Sequence, residues 1–185
     1  ITIPMEREFG SLKRLRGTPM HVASYFIGKS ILVFVSMAIQ VLLLLAGGMI
    51  FFGVELPSDP YKWFVFTWLI VFGSAASTAL GIAFAAVPKS GRGASAVVSP
   101  VVIILQFFSG VFFVFTDLPG WMQQVAAIFP LKWMTQGMRS VFLPDSFALR
   151  EVAGTWETER TFFILLIWLI AGIFLAIRTF KWSRD

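Results

Sequence analysis

Four long stretches of nearly unbroken apolar residues, at 31–53, 63–87, 95–116 and 161–177, divide the chain, with short polar or turn-rich segments between them. A helix rises 1.5 Å per residue, so about 20 apolar residues cross a hydrocarbon core of about 30 Å. Each stretch is long enough, which predicts four transmembrane helices. Residues 117–143 carry a different pattern. Asp117 as a cap and Pro119 in the first turn open a helix that spaces Leu118, Trp121, Met122, Val125 and Phe129 at near-helical intervals. Pro130 breaks it, and a second apolar-faced helix runs to Leu143 and Pro144. Both are too short to span and are expected to lie in or dip into the outer leaflet. The rest, to residue 160, reads as polar and exposed. The predicted fold is therefore all-α: a polytopic helical membrane protein with four transmembrane helices plus a short outer-leaflet helical hairpin and loop over 117–160.

Ahead of the first span, residues 6–19 alternate charge with turn formers. Gly10 breaks the helix that carries Glu6 and Glu8. Ser11 is placed to cap a short second helix over Leu12 to Arg16, which Gly17 ends. Thr18 and Pro19 are then expected to start the next helix as cap and first residue. That helix continues past His21, Tyr25 and Lys29 into the first span as one long bent element. The short helix presents Leu12 and Leu15 on one side and Lys13, Arg14 and Arg16 around the rest.

Composition settles the class. Hydrophobic residues make up 57% of the chain and charged residues 14%, and mean hydropathy is +0.82, far from a soluble domain with about a quarter of its residues charged. The 21 Phe and 7 Trp suit lipid and its interface. With no Cys and a single His, disulfides, thiol catalysis and zinc or haem sites are excluded or disfavoured, and no metal site is expected. The net charge of +5 does not indicate nucleic acid, because the basic residues flank apolar runs and form no one polar face. Ten basic residues lie in the N-terminal segment, the 88–94 loop and the tail, against three acidic ones; the other side holds five basic and seven acidic. The positive-inside rule then puts both ends of the chain in the cytoplasm. The chain has no signal-peptide pattern and begins like the tail of something longer, so a fragment is expected.

The spans contain no Asp, Glu, Lys, Arg or His, the residues that mark proton relays and ion-coupled transport. Energy for any transport must then enter from outside the membrane. Gly28-Lys29-Ser30 imitates the end of a phosphate-binding loop, but Ala23 stands where the first glycine is required, so no nucleotide site and no cofactor are expected on this chain. Two amides remain in the spans, Gln40 and Gln106, each about 13 Å from the cytoplasmic edge. They suit either a common pathway cavity or hydrogen bonds between helices. Gly73, Ser77 and Gly81 recur every four residues on the second span, a stripe on which a helix of this chain or of a second copy can pack.

Two separated patterns resemble one family, the type-2 ABC exporter permeases. Glu6, Glu8, Gly10, Ser11, Leu12, Leu15, Thr18 and Pro19 stand at the positions of its coupling loop. Phe107, Phe108, Ser109, Gly110, Leu118, Pro119, Gly120, Trp121, Pro130, Leu131 and Arg139 follow, in order, the end of its fifth helix and its outer hairpin. A segment that only fixed topology would need Lys and Arg, so the two glutamates favour this resemblance over a solvated connector. The family's domain has six membrane helices; the resemblance covers the whole chain as a single permease domain whose first two helices are absent, apart from residues 1–5. It implies that residues 1–30 dock a separate ABC ATP-binding subunit through Glu6, Glu8, Leu12, Leu15, Thr18 and Pro19, and that Leu118, Pro119, Trp121 and Pro130 form an outer gate. It further implies pairing with a second permease copy in a bacterial cytoplasmic membrane, and export of a lipid, glycan or hydrophobic drug. Two other classes stay open: a passive anchor or assembly scaffold, and a membrane-embedded lipid-modifying enzyme, for which the outer carboxylates are scattered and lack a histidine.

Overall fold

A computed structural model describes residues 2–18, 22–88, 90 and 93–179; Pro19, His21, Lys89, Arg92 and Trp182 lie outside them, as does the side chain of Leu12. The elements are α1 (Thr2–Glu8), α2 (Ser11–Arg16), α3 (Val22–Phe52), α4 (Pro60–Phe84), α5 (Ala94–Phe108), α6 (Gly120–Ile128), α7 (Pro130–Phe142) and α8 (Thr158–Thr179), with short 3-10 turns at Phe115–Asp117 and Asp145–Arg150. No strand occurs among the described residues. The protein is a polytopic helical membrane protein: α3, α4 and α8 are long and apolar enough to cross a bilayer, and α5 is a shorter apolar helix.

The ends of these helices follow local chemistry. At α4, Asp59 accepts a hydrogen bond from the Tyr61 amide at 2.8 Å and Pro60 takes the first helical position, where its missing N–H costs nothing. The helix thus starts three residues before the expected span and ends at Phe84. At α3 the helix is continuous over 31 residues, about 46 Å, so roughly ten residues extend beyond a 30 Å core. The largest departure is α5. A crossing over 95–116 was expected, yet the helix stops at Phe108 after 15 residues, about 22 Å. Gly110 turns the chain at φ +81, where a Cβ would meet Phe115 Cβ at 3.1 Å. The Ser109 carbonyl, freed from the helical ladder, accepts instead from Thr135 Oγ1 of α7 at 2.8 Å.

Helix α4 is the centre of the bundle, with α8 along one side and α7 across its first half. Val65 and Leu69 of α4 pack with Val141 of α7 and Leu165 of α8, all at most 2% exposed. Farther along, Gly172 of α8 brings its backbone so close that a Cβ would lie 3.0 Å from Ala79 Cβ and 3.2 Å from the Leu80 amide nitrogen. The expected stripe of small residues is used only in part. Gly73 receives Met134 of α7, but Ser77 and Gly81 are exposed and Gly81 has nothing near it. Steps of four residues drift about 40° per step around a helix, so the stripe spirals away from the seam, which runs instead through Ala76 and Ala79. Helix α3 touches α4, but none of its most apolar 18-residue window is buried.

The break between α6 and α7 matches the expected hairpin. Phe129 is extended, serving as the last cap of α6 and the first of α7, with Pro130 at the first position of α7. Two indoles close the end of α6: Trp133 Nε1 donates to the Ala127 carbonyl at 2.8 Å and Trp168 Nε1 to that of Ile128 at 2.7 Å. The start of α6 differs from expectation. Pro119 is the cap and Asp117 sits in the preceding 3-10 turn, while Gln123 Nε2 reaches back to the carbonyls of Leu118 (2.9 Å) and Thr116 (3.3 Å).

Candidate functional site

The N-terminal segment folds as two helices of seven and six residues, too short to hold alone in water. Gly10, at φ +75, makes the turn between them, a conformation that only glycine adopts at little cost. After Arg16, Thr18 Oγ1 donates to the Leu15 carbonyl at 2.6 Å. Thr18 thereby takes up a carbonyl left open at the end of α2; its expected part in starting the next helix with Pro19 lies outside the described residues.

Tertiary contacts hold this segment to the bundle. Ile3 is buried with Tyr25 of α3, Ile82 of α4, Ala85 and Ala176 of α8, and Leu15 packs on the same cluster. Glu6 accepts a hydrogen bond from the Tyr25 hydroxyl through one oxygen, at 2.6 Å, and pairs with Lys29 Nζ through the other. Lys29 also lies over the Tyr25 ring, 5.8 Å from its centroid. Of the residues expected to meet a partner, Glu6 and Leu15 thus face this chain's own helices, while Glu8 is exposed. Among the described residues of the segment the most exposed large apolar side chain is Phe9, at 71%. Its signal in the sequence was its place beside the Gly10 turn.

At the opposite end of α4, the inner face of α7 carries a polar network that the sequence pattern hid. Gln136 is fully buried; its Oε1 accepts from Lys132 Nζ, and its Nε2 donates to the Trp156 carbonyl at 3.1 Å, with Glu157 at 3.4 Å. Lys132 is 5% exposed and sits 3.6 Å from the centroid of the Trp133 ring. Burial lowers its pKa from 10.5 to about 8, against the opposing pull of Glu157 and Glu151; Arg139 and Arg160 lower it further. Arg139 forms a two-point pair with Glu151, at 2.8 and 3.2 Å. Glu157, at the unusual φ of 46, is held by Arg160 at 2.8 Å. The stretch expected to be polar and exposed is therefore sewn to α7: Glu151 and Glu157 point inward because α7 offers buried donors that require partners. Beside this network a cavity of about 380 Å³ is lined by Phe112, Phe115, Arg139, Phe147, Glu151 and Trp156, among others.

The remaining candidates stand apart. Gln40 is exposed on α3 and Gln106 half-buried on α5, and no side-chain hydrogen bond joins them. Pro119 and Trp121 lie at the start of α6 and Pro130 just past its end; Leu118 is half-buried, whereas Trp121 is 60% exposed, with its ring 6.3 Å from that of Phe108. Among the described residues no three His, Cys, Asp or Glu come together as metal ligands.

The family model described as "ABC-2 type transporter" matches residues 2–143. No curated protein and no solved structure matches the chain.

Proposed function

Because the chain belongs to the ABC-2 type transporter family and so is an ABC transporter permease, we propose that it serves an ATP-driven exporter, receiving force from a separate ATP-binding subunit at the α1–α2 end. The observation that supports this best is the build of that end: two short helices, anchored inward by Ile3, Glu6 and Leu15, present Phe9 and Glu8 outward at the Gly10 turn. An exposed aromatic beside a charge, on an anchored element, is the composition of a docking point. On this reading Leu12, Thr18 and Pro19 flank the dock, ATP and Mg belong to the partner, and the α1–α2 end is cytoplasmic. The hairpin then lies at the outer face of a bacterial cytoplasmic membrane, with Leu118, Pro119, Trp121 and Pro130 around its gate. A second permease copy covers part of the bare apolar length of α3. The cargo is hydrophobic or amphipathic, since the spans offer no ionisable group between their ends; Gln40 and Gln106 are the polar groups it would meet.

The test is purification of the tagged protein from native membranes, as wild type and as Phe9→Asp and Glu8→Arg. An ATPase that accompanies the wild type and is lost from both variants is the expected result. Retention in both would place the dock elsewhere, and no ATPase with the wild type would favour an anchor or scaffold.

A further inference from the structure

We propose that Glu6 is a positioning residue: a clamp that fixes α1 to α3, so that a displacement of the α1–α2 segment is delivered to the membrane through α3. This rests on the reading that an ATPase docks on that segment. Glu6 belongs to the stretch that docks, yet both its carboxylate oxygens are engaged by one face of α3. Tyr25 and Lys29 are four residues apart and therefore neighbours on a helix surface, which lets one carboxylate take a hydroxyl and an ammonium at once. The contact is partly buried, with 20% of the Lys29 side chain and 27% of that of Glu6 exposed, so it is screened less than a surface pair.

The position of the clamp gives it leverage. The first turns of α3, where Tyr25 and Lys29 sit, precede the uncharged run that begins at Ile31, and the helix is unbroken from there to Phe52. A push on α1 is passed to a continuous rod about 46 Å long. The apolar contacts of Ile3 and Leu15 reach α3, α4 and α8 together and are non-directional. The Glu6 contact, by comparison, has fixed geometry and a single recipient helix. The bend at Gly10 leaves Phe9 and α2 on the partner's side of this joint.

The chain has no cysteine, so Gln124→Cys on the exposed face of α6 places a single polarity-sensitive dye at the far end. Its emission is followed in nanodiscs, with the ATPase bound, with and without a non-hydrolysable ATP analogue. Glu6→Lys and Lys29→Glu, each alone, are expected to keep the ATPase and its basal hydrolysis while reducing the nucleotide-induced emission change about tenfold, within the usual range of coupling between sites. The double variant Glu6→Lys/Lys29→Glu should regain most of that change, which a general loss of folding or docking would not permit. Tyr25→Phe should give an intermediate loss. An undiminished change in both single variants overturns the clamp, as does failure of the double variant to recover. Loss of the ATPase from Glu6→Lys alone would assign Glu6 to docking instead. If the wild type itself brings no ATPase, the transporter reading fails and the transmission role with it, and that result is visible before any variant is compared.

Discussion

At the α1–α2 end one carboxylate, Glu6, joins two elements through Tyr25 and Lys29, and about a quarter of its side chain remains exposed. At the hairpin end the buried Lys132 and Gln136 reach Trp156 and Glu157, which the exposed Arg160 also holds, and Arg139 pairs with Glu151, so that α7 holds the 151–157 stretch at several points. The two ends use the same chemistry with opposite mechanical results. The directional contact between the short α1 and the long α3 leaves a joint that rotates or is re-made at small cost. Several desolvated contacts on one helix admit no partial rearrangement, because each freed group would remain buried without a partner. Helix α7 with the 151–157 stretch is a frame and the α1–α2 end is a lever.

The sharpest way to break this contrast is to remove one member of the frame. Glu151→Ala strands the Arg139 guanidinium and Gln136→Leu strands Lys132; each should lower the unfolding free energy by about 3 kcal/mol, read by thermal unfolding in detergent. A smaller effect is expected along the α4–α8 seam, which ties the two ends together. Gly172→Ala drives a methyl against Ala79 and the Leu80 backbone, neither of which yields easily, and should cost about 2 kcal/mol. Gly81→Ala, with open space around it, should be neutral or stabilise by up to about 1 kcal/mol. Equal losses at the two positions would restore the four-residue stripe as the true seam. The Glu6 contact should contribute least to stability: Glu6→Gln is expected to cost about 1 kcal/mol, in spite of its larger effect on transmission.

The frame also has a pH signature. Lys132 has its pKa lowered from 10.5 to about 8 by burial, so the folded chain holds that proton less tightly than the unfolded one. Between about pH 8 and 10.5 the unfolded state binds more protons, and this group makes stability rise with pH; below pH 8 both states carry the charge and the contribution flattens. The melting temperature of wild type relative to that of Lys132→Met, followed from pH 7.5 to about 10, should rise with pH. A constant difference would show that Lys132 titrates normally.

How much of this was legible follows from which forces local sequence records. The apolar runs gave three helices long and apolar enough to cross and a fourth, shorter one, and the proline-marked hairpin appeared where Pro130 put it, because length, hydropathy and a missing N–H act locally. The Gly10 turn was readable for the same reason. The end of α5 was not: the run through Val111 to Phe115 is as apolar as a span, and what stops the helix is Gly110 at positive φ together with Thr135 taking the Ser109 carbonyl from 26 residues away. Glu6 and Leu15 were read as outward-facing because spacing shows which residues share a face and not what that face meets. Glu151 and Glu157 were expected to be exposed with the rest of their stretch, because their partners Arg139 and Gln136 lie on a separate element, α7.

The contrast between lever and frame is tested most directly by amide hydrogen exchange on the protein with its ATPase, measured with and without a non-hydrolysable ATP analogue. The account predicts that nucleotide changes protection over residues 2–18 and the first turns of α3, while the amides of α7 from Lys132 to Val141 stay equally slow in both states. Faster exchange along α7 with an unchanged N-terminal segment would contradict it.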